Sequence, residues 1–116
     1  MRVDQLNDYQ NEALETWTGK LPWTEMGRVY LGLKLAGEAG ETAEKLGKLV
    51  RDKNGLVDIA DQDKRALALE LGDVLWYLSV LAGELGYSLA EVANMNLEKL
   101  RDRRERGVLG GSGDNR

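Results

Sequence analysis

The chain contains 116 residues, with 20 acidic and 16 basic side chains and a formal net charge of −4. It has no histidine and no cysteine, which excludes disulfides, a catalytic thiolate, a serine–histidine–aspartate triad and metal sites built on imidazole or thiolate. Oxygen ligands remain, and they favour hard cations such as Mg²⁺, Mn²⁺ or Ca²⁺.

Charge and hydropathy also limit the partners that we expect. An acidic balance argues against a general nucleic-acid binder, whose binding surface is normally basic. No apolar run reaches the roughly 18 residues that span a membrane, and the opening MRVDQLNDYQ lacks the apolar core of a signal peptide. We therefore expect a cytoplasmic protein that binds neither membranes nor nucleic acid.

Four segments have the apolar spacing of amphipathic helices, and together they predict an all-α bundle of four to five helices. The first covers roughly residues 4–17 and ends before a glycine–proline turn that contains Trp23. The second covers roughly 24–51 and ends before an Asn-Gly turn. Strand signals are weak throughout, because β-branched residues are sparse.

The two later segments carry clear helix-end signals. The third covers roughly 64–85 and is the most apolar, and Gly86 follows it in the position of a C-cap glycine. The fourth begins at Ser88, which forms a capping box with Glu91, and continues to about Arg106.

The chain is expected to form one domain with a short tail. We place the domain at residues 1–105 and a Gly-rich tail at 106–116. The tail is expected to be a flexible end. In the alternative interpretation, its backbone amides and Arg116 fold over a phosphate-bearing ligand.

Two pairs of acidic residues stand three positions apart, Glu38 with Glu41 and Glu70 with Asp73, so each pair projects from one helix face. The second pair lies within an otherwise apolar helix, where an unpaired buried carboxylate would take up a proton or bind a cation. If the two helices pack antiparallel, four carboxylates surround one cavity, and divalent cations would neutralise them. We interpret the pairs as a Mg²⁺ site that holds a polyphosphate; solvated surface pairs are the alternative.

Glycines stand beside both acid pairs. Gly37 and Gly40 flank Glu38, and Gly72 lies within the second pair. Each glycine inside a helix destabilises it by about 0.5–1 kcal/mol relative to alanine. Their positions predict that another backbone or a bulky ligand approaches closely.

The two acid pairs, separated by 28 residues, resemble the E-x-x-E…E-x-x-D signature of the MazG-type all-α nucleoside triphosphate pyrophosphohydrolases. The surrounding segments LAGEAGETAEKLGK and ELGDVLWYLSVLAGELGYSLAEVANMNLEKLRDR fit as well, so the resemblance covers roughly residues 28–104. Many members carry a second glutamate where this chain has Gly37. This departure leaves all four acids of the signature in place.

The resemblance implies that an NTP or dNTP and water yield a nucleoside monophosphate and pyrophosphate, in a house-cleaning role for surplus or non-standard nucleotides. By the same resemblance, Glu38, Glu41, Glu70 and Asp73 would ligate Mg²⁺, or Mn²⁺ as a substitute, which lowers the pKa of a bound water. Glu41, or else Glu38, would orient or deprotonate that water for attack at the α-phosphate.

The fourth helix supplies candidate phosphate ligands. Asn96, Lys99 and Arg103 share one face, and the resemblance places Asn96 and Lys99 against the substrate phosphates. Arg103 is a further candidate, or else a basic residue that favours the helix dipole. Tyr77, one turn beyond Asp73, is expected to reach a phosphate or the ribose, with a plain core tyrosine as the alternative.

Aromatic residues are the candidates for stacking on the base. Trp23 is the first of these, with Tyr9 and Trp17 behind it. Trp76 is predicted to face away from the acid pair, in the core or in a subunit interface.

The resemblance also implies a homo-oligomer, either a tetramer built as a dimer of dimers or a dimer, that completes the core. Apolar positions left over within one chain would form the interface: Leu31, Leu35, Leu78, Leu81 and Leu85. The alternative function is a catalytically silent interaction or regulatory module of the same fold, against which the presence of all four acids speaks. A phosphodiester or ADP-ribose hydrolase is a weaker alternative, because only the metal cluster supports it.

Overall fold

A computed structural model describes residues 5–18, 25–53, 58–111 and 113. Four α-helices make up most of these residues: α1 (Leu6–Thr16), α2 (Glu25–Lys53), α3 (Asp61–Glu84) and α4 (Leu89–Glu105). No strand occurs in the described ranges, which confirms the all-α prediction. Each predicted helix end lies within three residues of the observed one, while Trp23 lies outside the described residues.

The central helix is α3, which packs against α1, α2 and α4. α2 runs antiparallel beside it, because Arg28 near the start of α2 donates to the carbonyl oxygen of Glu84 at the end of α3, at 3.4 Å. α4 packs on α1 and α3, and within the described ranges it does not contact α2. One acid pair is on α2 and the other is on α3. Both pairs therefore belong to the two helices that meet along this contact, which we call the seam.

The hydrophobic core of a single chain is small. Ala13, Leu31 and Val80 form its buried cluster, and aromatic residues of α1 and α3 pack around it. Placing Leu31 at a subunit interface was wrong, because this side chain is fully buried at the centre of the core. Leu81 also packs against the core, whereas Leu85 is exposed.

Much apolar surface stays outside this core. The most exposed large apolar side chains include three on α2, two on α3 and one at the C-cap of α3: Met26, Val29, Leu33, Leu69, Leu71 and Leu85. A chain of this size buries a modest fraction of its surface alone, so these side chains leave room for a further packing partner.

By length and composition α3 qualifies as a membrane-spanning helix, the one such helix in the described part of the chain. The expectation that no segment reaches this length was therefore wrong for α3. The same length and composition also occur in the core helices of soluble bundles. α3 contacts three other helices and carries the acidic residues Glu70 and Asp73.

The turn between α3 and α4 is built as predicted. Gly86 has a φ of 86°, and its N–H and that of Tyr87 donate to carbonyl oxygens in the last turn of α3, at 3.0 and 2.9 Å. Ser88 then caps α4, because its side chain accepts from the N–H of Glu91 while the Glu91 carboxylate accepts from the N–H of Ser88.

Gln10 joins α1 to this turn, a contact that the sequence analysis missed. Its side chain is 4% exposed, and Nε2 donates to the carbonyl oxygens of Ser79 and Tyr87 at 3.1 and 3.0 Å. Its Oε1 accepts from the N–H of Leu89 at 3.0 Å. A side chain of α1 thus satisfies a donor at the beginning of α4 that has no partner within its own helix.

We predict that Gln10→Ala lowers the free energy of unfolding by about 2–4 kcal/mol, because the buried N–H of Leu89 would lose its acceptor. Urea unfolding at fixed protein concentration, followed by circular dichroism at 222 nm, measures this change. The exposed neighbour Asn11 provides the control, and Asn11→Ala should stay within about 0.5 kcal/mol of the parent. Equal effects of the two substitutions would contradict the role given to Gln10.

Candidate metal centre

Carboxylates from α2 and α3 meet at the seam between these helices. Glu38, Glu41 and Glu70 each offer one oxygen, and the three oxygens lie within 4.8 Å of one another. The three-residue spacing puts both α2 acids on one helix face, and the antiparallel packing turns that face toward Glu70. The structure therefore brings together three of the four predicted acids.

Asp73, the fourth predicted acid, lies beside this group. It lines a cavity of about 390 Å³ together with Glu38, Trp76 and Tyr77. The charge of Asp73 helps to raise the pKa of Glu38, so the two carboxylates influence each other. Glu38 therefore belongs both to the carboxylate cluster and to the cavity.

The environment of Glu70 tests whether a cation fits the cluster. Its Oε1 accepts from Nζ of Lys45 at 2.6 Å, whereas its Oε2 is buried and has no hydrogen-bond partner among the described residues. A buried carboxylate oxygen without a partner is unfavourable. Mg²⁺ and Mn²⁺ bind carboxylate oxygens, so the donor set fits either ion.

Lys45 is the residue of this region that the sequence analysis missed. It stands four positions after Glu41, so it shares the helix face that carries the acids. Its hydrogen bond with Glu70 is the largest cause that raises the pKa of Lys45. The regular spacing of Glu38, Glu41 and Lys45 along α2 was the available signal.

Glu38 has the most perturbed carboxylate of the seam. Desolvation raises its pKa most, and the charges of Glu41, Asp73 and Glu70 raise it further, while Lys34 lowers it. Folding therefore favours the protonated form of Glu38 when no cation is present.

Trp76 does not face away from the acids, and that prediction was wrong. Its ring lines the cavity with Glu38, and its Nε1 donates to Oγ1 of Thr16 at 2.7 Å. A long side chain on a helix leans toward the preceding turn, which in α3 is the turn of Asp73. Trp76 also packs against the core, so the core part of the prediction is confirmed.

Tyr77 lines the cavity, in agreement with its predicted position beside the acids. Burial raises its pKa most, and the neighbouring Tyr30, partly through a hydrogen bond, raises it further, so the hydroxyl keeps its proton. The Tyr77 ring meets Trp76 edge-on at 4.8 Å, and Nζ of Lys34 lies 5.9 Å from the ring centre.

The other two aromatic candidates of the described ranges, Tyr9 and Trp17, pack around the core. Trp17 stacks on Tyr30 with ring centres 6.2 Å apart. Burial, and then the charge of Asp73, raises the pKa of Tyr9, which places this hydroxyl within the electrostatic reach of the site.

The α4 candidates are not brought to the cavity within one chain. Asn96 and Lys99 are exposed, on a helix that makes no contact with α2 in the described ranges. Arg103 is only 5% exposed and interacts with another group of the chain. Its expected place on an open phosphate-binding face was therefore wrong. Helical spacing showed that the three residues share a face, but it did not show which side packs on α1 and α3.

The glycines beside the acids do not mark a close backbone approach within this chain. A Cβ atom added at Gly37, Gly40 or Gly72 would meet no described atom within 4 Å, so that part of the prediction was wrong. A close approach does occur at Gly83, where an added Cβ would lie 3.0 Å from a methyl of Leu14. Arg116 and the end of the tail lie outside the described residues.

Comparison with known proteins assigns the segment that carries this site. Residues 29–108 match the MazG nucleotide pyrophosphohydrolase domain. The chain is also 48% identical over 90 residues to the Gene 37 protein of Mycobacterium phage L5, which covers 78% of this chain and 77% of that protein. Among solved structures, none matches this chain.

We predict that Glu38→Gln stabilises the metal-free protein near neutral pH. A carboxyl whose pKa is raised from 4.5 on folding favours the folded state at low pH, and this advantage is lost as the pH rises through the folded pKa. Glutamine stays neutral, so the melting temperature of the variant should exceed that of the parent by an amount that grows as the pH rises above 4.5 and levels off once Glu38 of the folded parent is ionised.

Thermal unfolding in the presence of EDTA measures this pH dependence. Glu98→Gln removes an exposed α4 carboxylate away from the seam, and its difference from the parent should stay constant with pH. A constant difference for Glu38→Gln as well would show that the seam does not perturb this carboxyl.

Proposed function

Because the chain belongs to the MazG nucleotide pyrophosphohydrolase family, we propose that it hydrolyses nucleoside triphosphates to nucleoside monophosphate and pyrophosphate with the aid of Mg²⁺. One observation carries this proposal. Carboxylate oxygens of Glu38, Glu41 and Glu70 converge within 4.8 Å, beside a buried Glu70 oxygen that has no partner among the described residues.

The four acids Glu38, Glu41, Glu70 and Asp73 are proposed to hold the cation, with Mn²⁺ as a substitute for Mg²⁺. When bound, the cation supplies charge neutralisation for the phosphates and a water of lowered pKa. Asp73 is included because it lines the same cavity as Glu38.

We assign proton transfer to Glu41, which is the exposed member of the cluster and is open to a water approaching from solvent. The water oxygen forms a bond to the α-phosphorus, the bond from that phosphorus to the α,β-bridging oxygen breaks, and pyrophosphate leaves with that oxygen. The carboxylate of Glu41 accepts the proton of the attacking water. Glu38 is the alternative acceptor, because it also lines the cavity.

The aromatic wall of the cavity is proposed to hold the nucleoside. Tyr77 would donate to a phosphate or the ribose, and Trp76 offers an aromatic surface beside it. Trp23, Asn96, Lys99 and Arg103 remain candidates for the base and the phosphates, although Arg103 would have to leave its buried position. We further propose a cytoplasmic house-cleaning role, without nucleic-acid or membrane partners.

We also propose a homo-oligomer, which the same geometry supports. Asn96 and Lys99 are on a helix that does not contact α2 in the described ranges, so a second copy would have to present them to the seam. Exposed apolar side chains such as Leu33 (69%) and Leu69 (62%) are suited to that contact. We propose a tetramer built as a dimer of dimers, with a dimer as the smaller alternative.

We predict that Glu41→Gln and Asp73→Asn each lower turnover by at least about 100-fold while the helical content is retained. The assay incubates ordinary and modified NTPs and dNTPs with Mg²⁺ and separates the products by anion-exchange chromatography. Nucleoside monophosphate and pyrophosphate are the expected products. Nucleoside diphosphate and phosphate would contradict the cleavage position, and no turnover of any nucleotide would favour the silent module.

The matched control for these variants is Glu44→Gln. Glu44 is on the same helix but pairs with Lys48 at 3.1 Å and does not belong to the carboxylate cluster. Its substitution should leave turnover near the parent value. A loss equal to that of Glu41→Gln would show that general charge on α2, rather than the cluster, supports the reaction.

We predict that light scattering at micromolar protein gives about four times the 12.9 kDa chain mass, or twice that mass for the dimer. A monomeric mass would contradict the shared site. Mixing Glu41→Gln chains with Lys99→Ala chains provides a second test, because exchange between copies should restore about a quarter of the parent activity where two copies share each site. No recovery after exchange would place Lys99 in the site of its own chain or outside it.

A further inference from the structure

We propose that Lys45 is a tethered counter-ion of the carboxylate cluster, which neutralises Glu70 until a divalent cation binds and thereby sets the cation concentration that fills the site. This inference rests on the proposed metal site. It concerns a residue outside both acid pairs, and it assigns to Lys45 an electrostatic role with a measurable effect on metal affinity.

The contact between Lys45 and Glu70 is short, and the two side chains differ in their exposure to solvent. Nζ of Lys45 lies 2.6 Å from Oε1 of Glu70, and the side chain of Lys45 is 45% exposed while that of Glu70 is 14% exposed. The buried partner is therefore held in place by the seam, whereas the ammonium is on a flexible stem at the solvent boundary. Of the two partners, Lys45 is the one that can move away.

Neighbouring lysines of α2 have other surroundings. Lys48 pairs with Glu44 at 3.1 Å, and Lys34 lies over the ring of Tyr77 at 5.9 Å. Lys45 is thus placed directly against a member of the cluster, one turn beyond Glu41. Lys48, three residues further along the same helix, provides a matched control.

The ammonium of Lys45 and a divalent cation would both be attracted to the negative charge of Glu70. A Mg²⁺ ion bound by the cluster would lie about 2.0–2.1 Å from its oxygen ligands. An ammonium that stayed on Glu70 would then be within roughly 7 Å of the ion, which is less than the screening length at physiological salt. The two positive charges would repel each other, so binding of the ion favours release of Lys45.

A purely orienting salt bridge makes the opposite prediction. If Lys45 only held Glu70 in a useful rotamer, removal of the ammonium would loosen Glu70 and weaken cation binding. If Lys45 is a counter-ion, its removal leaves a more negative cluster and strengthens cation binding. The sign of the change in affinity therefore separates the two roles.

The experiment titrates Mn²⁺ into metal-stripped protein by isothermal titration calorimetry. Lys45→Met keeps most of the apolar stem and removes the charge, and we expect Mn²⁺ to bind roughly three- to tenfold more tightly than to the parent. Lys45→Arg should stay near the parent because it keeps the charge. Lys48→Met should also bind Mn²⁺ as the parent does.

A second measurement follows the folded state without any turnover. In EDTA, Lys45→Met should melt at a lower temperature than the parent, because the cluster has lost its neutralising charge. At saturating Mn²⁺ the difference should close or reverse, because tighter binding adds stability by mass action. Lys45→Gln gives the same comparison if the methionine variant fails to fold.

The outcomes separate this inference from the proposed function. Unchanged or weaker Mn²⁺ binding by the charge-free Lys45 variants would overturn the counter-ion role while leaving the metal site intact. If the parent itself bound no Mn²⁺, the metal site and the inference would both be overturned. Tighter binding confined to the charge-free Lys45 variants would support the inference.

Discussion

Repulsion among the carboxylates that α2 and α3 bring together is the constraint on which the rest of this structure depends. The packing of two helices places three oxygens within 4.8 Å, leaves Oε2 of Glu70 buried without a partner in the described part of the chain, and raises the pKa of Glu38. Positive charge is what relieves such a site, and Lys45 supplies part of it. The carboxylates that would bind a cation thus destabilise the folded chain when no cation is present, as is common where a site is built for a ligand.

Apolar side chains of α2 and α3 are only partly buried, and the exposed ones bear on both stability and function. α3 touches all three other helices, yet Leu69 and Leu71 on it remain exposed, as does Leu33 on α2. The helix with the proposed phosphate ligands makes no contact with α2 in the described ranges. A second copy would thus cover apolar surface and complete the proposed site in one association step.

Local features were predictable from the sequence, and contacts across helices were not. Apolar periodicity gave the four helices, and Gly86 and the Ser88 capping box act within a few residues, so each could be recognised in isolation. The ion pair of Lys45 depends on the register between two helices. The burial of Arg103 depends on which face of α4 packs, and the direction of Trp76 on the lean of a long side chain.

The match to the family begins at residue 29, whereas the polar contacts that hold the helices together begin earlier. Gln10 accepts from the N–H of Leu89, and Thr16 accepts from the indole N–H of Trp76 in the cavity wall. The start of the family match is therefore not the start of the folding unit. A chain trimmed to the matched segment would keep every acidic ligand but lose the acceptors that fix the start of α4 and the wall of the cavity.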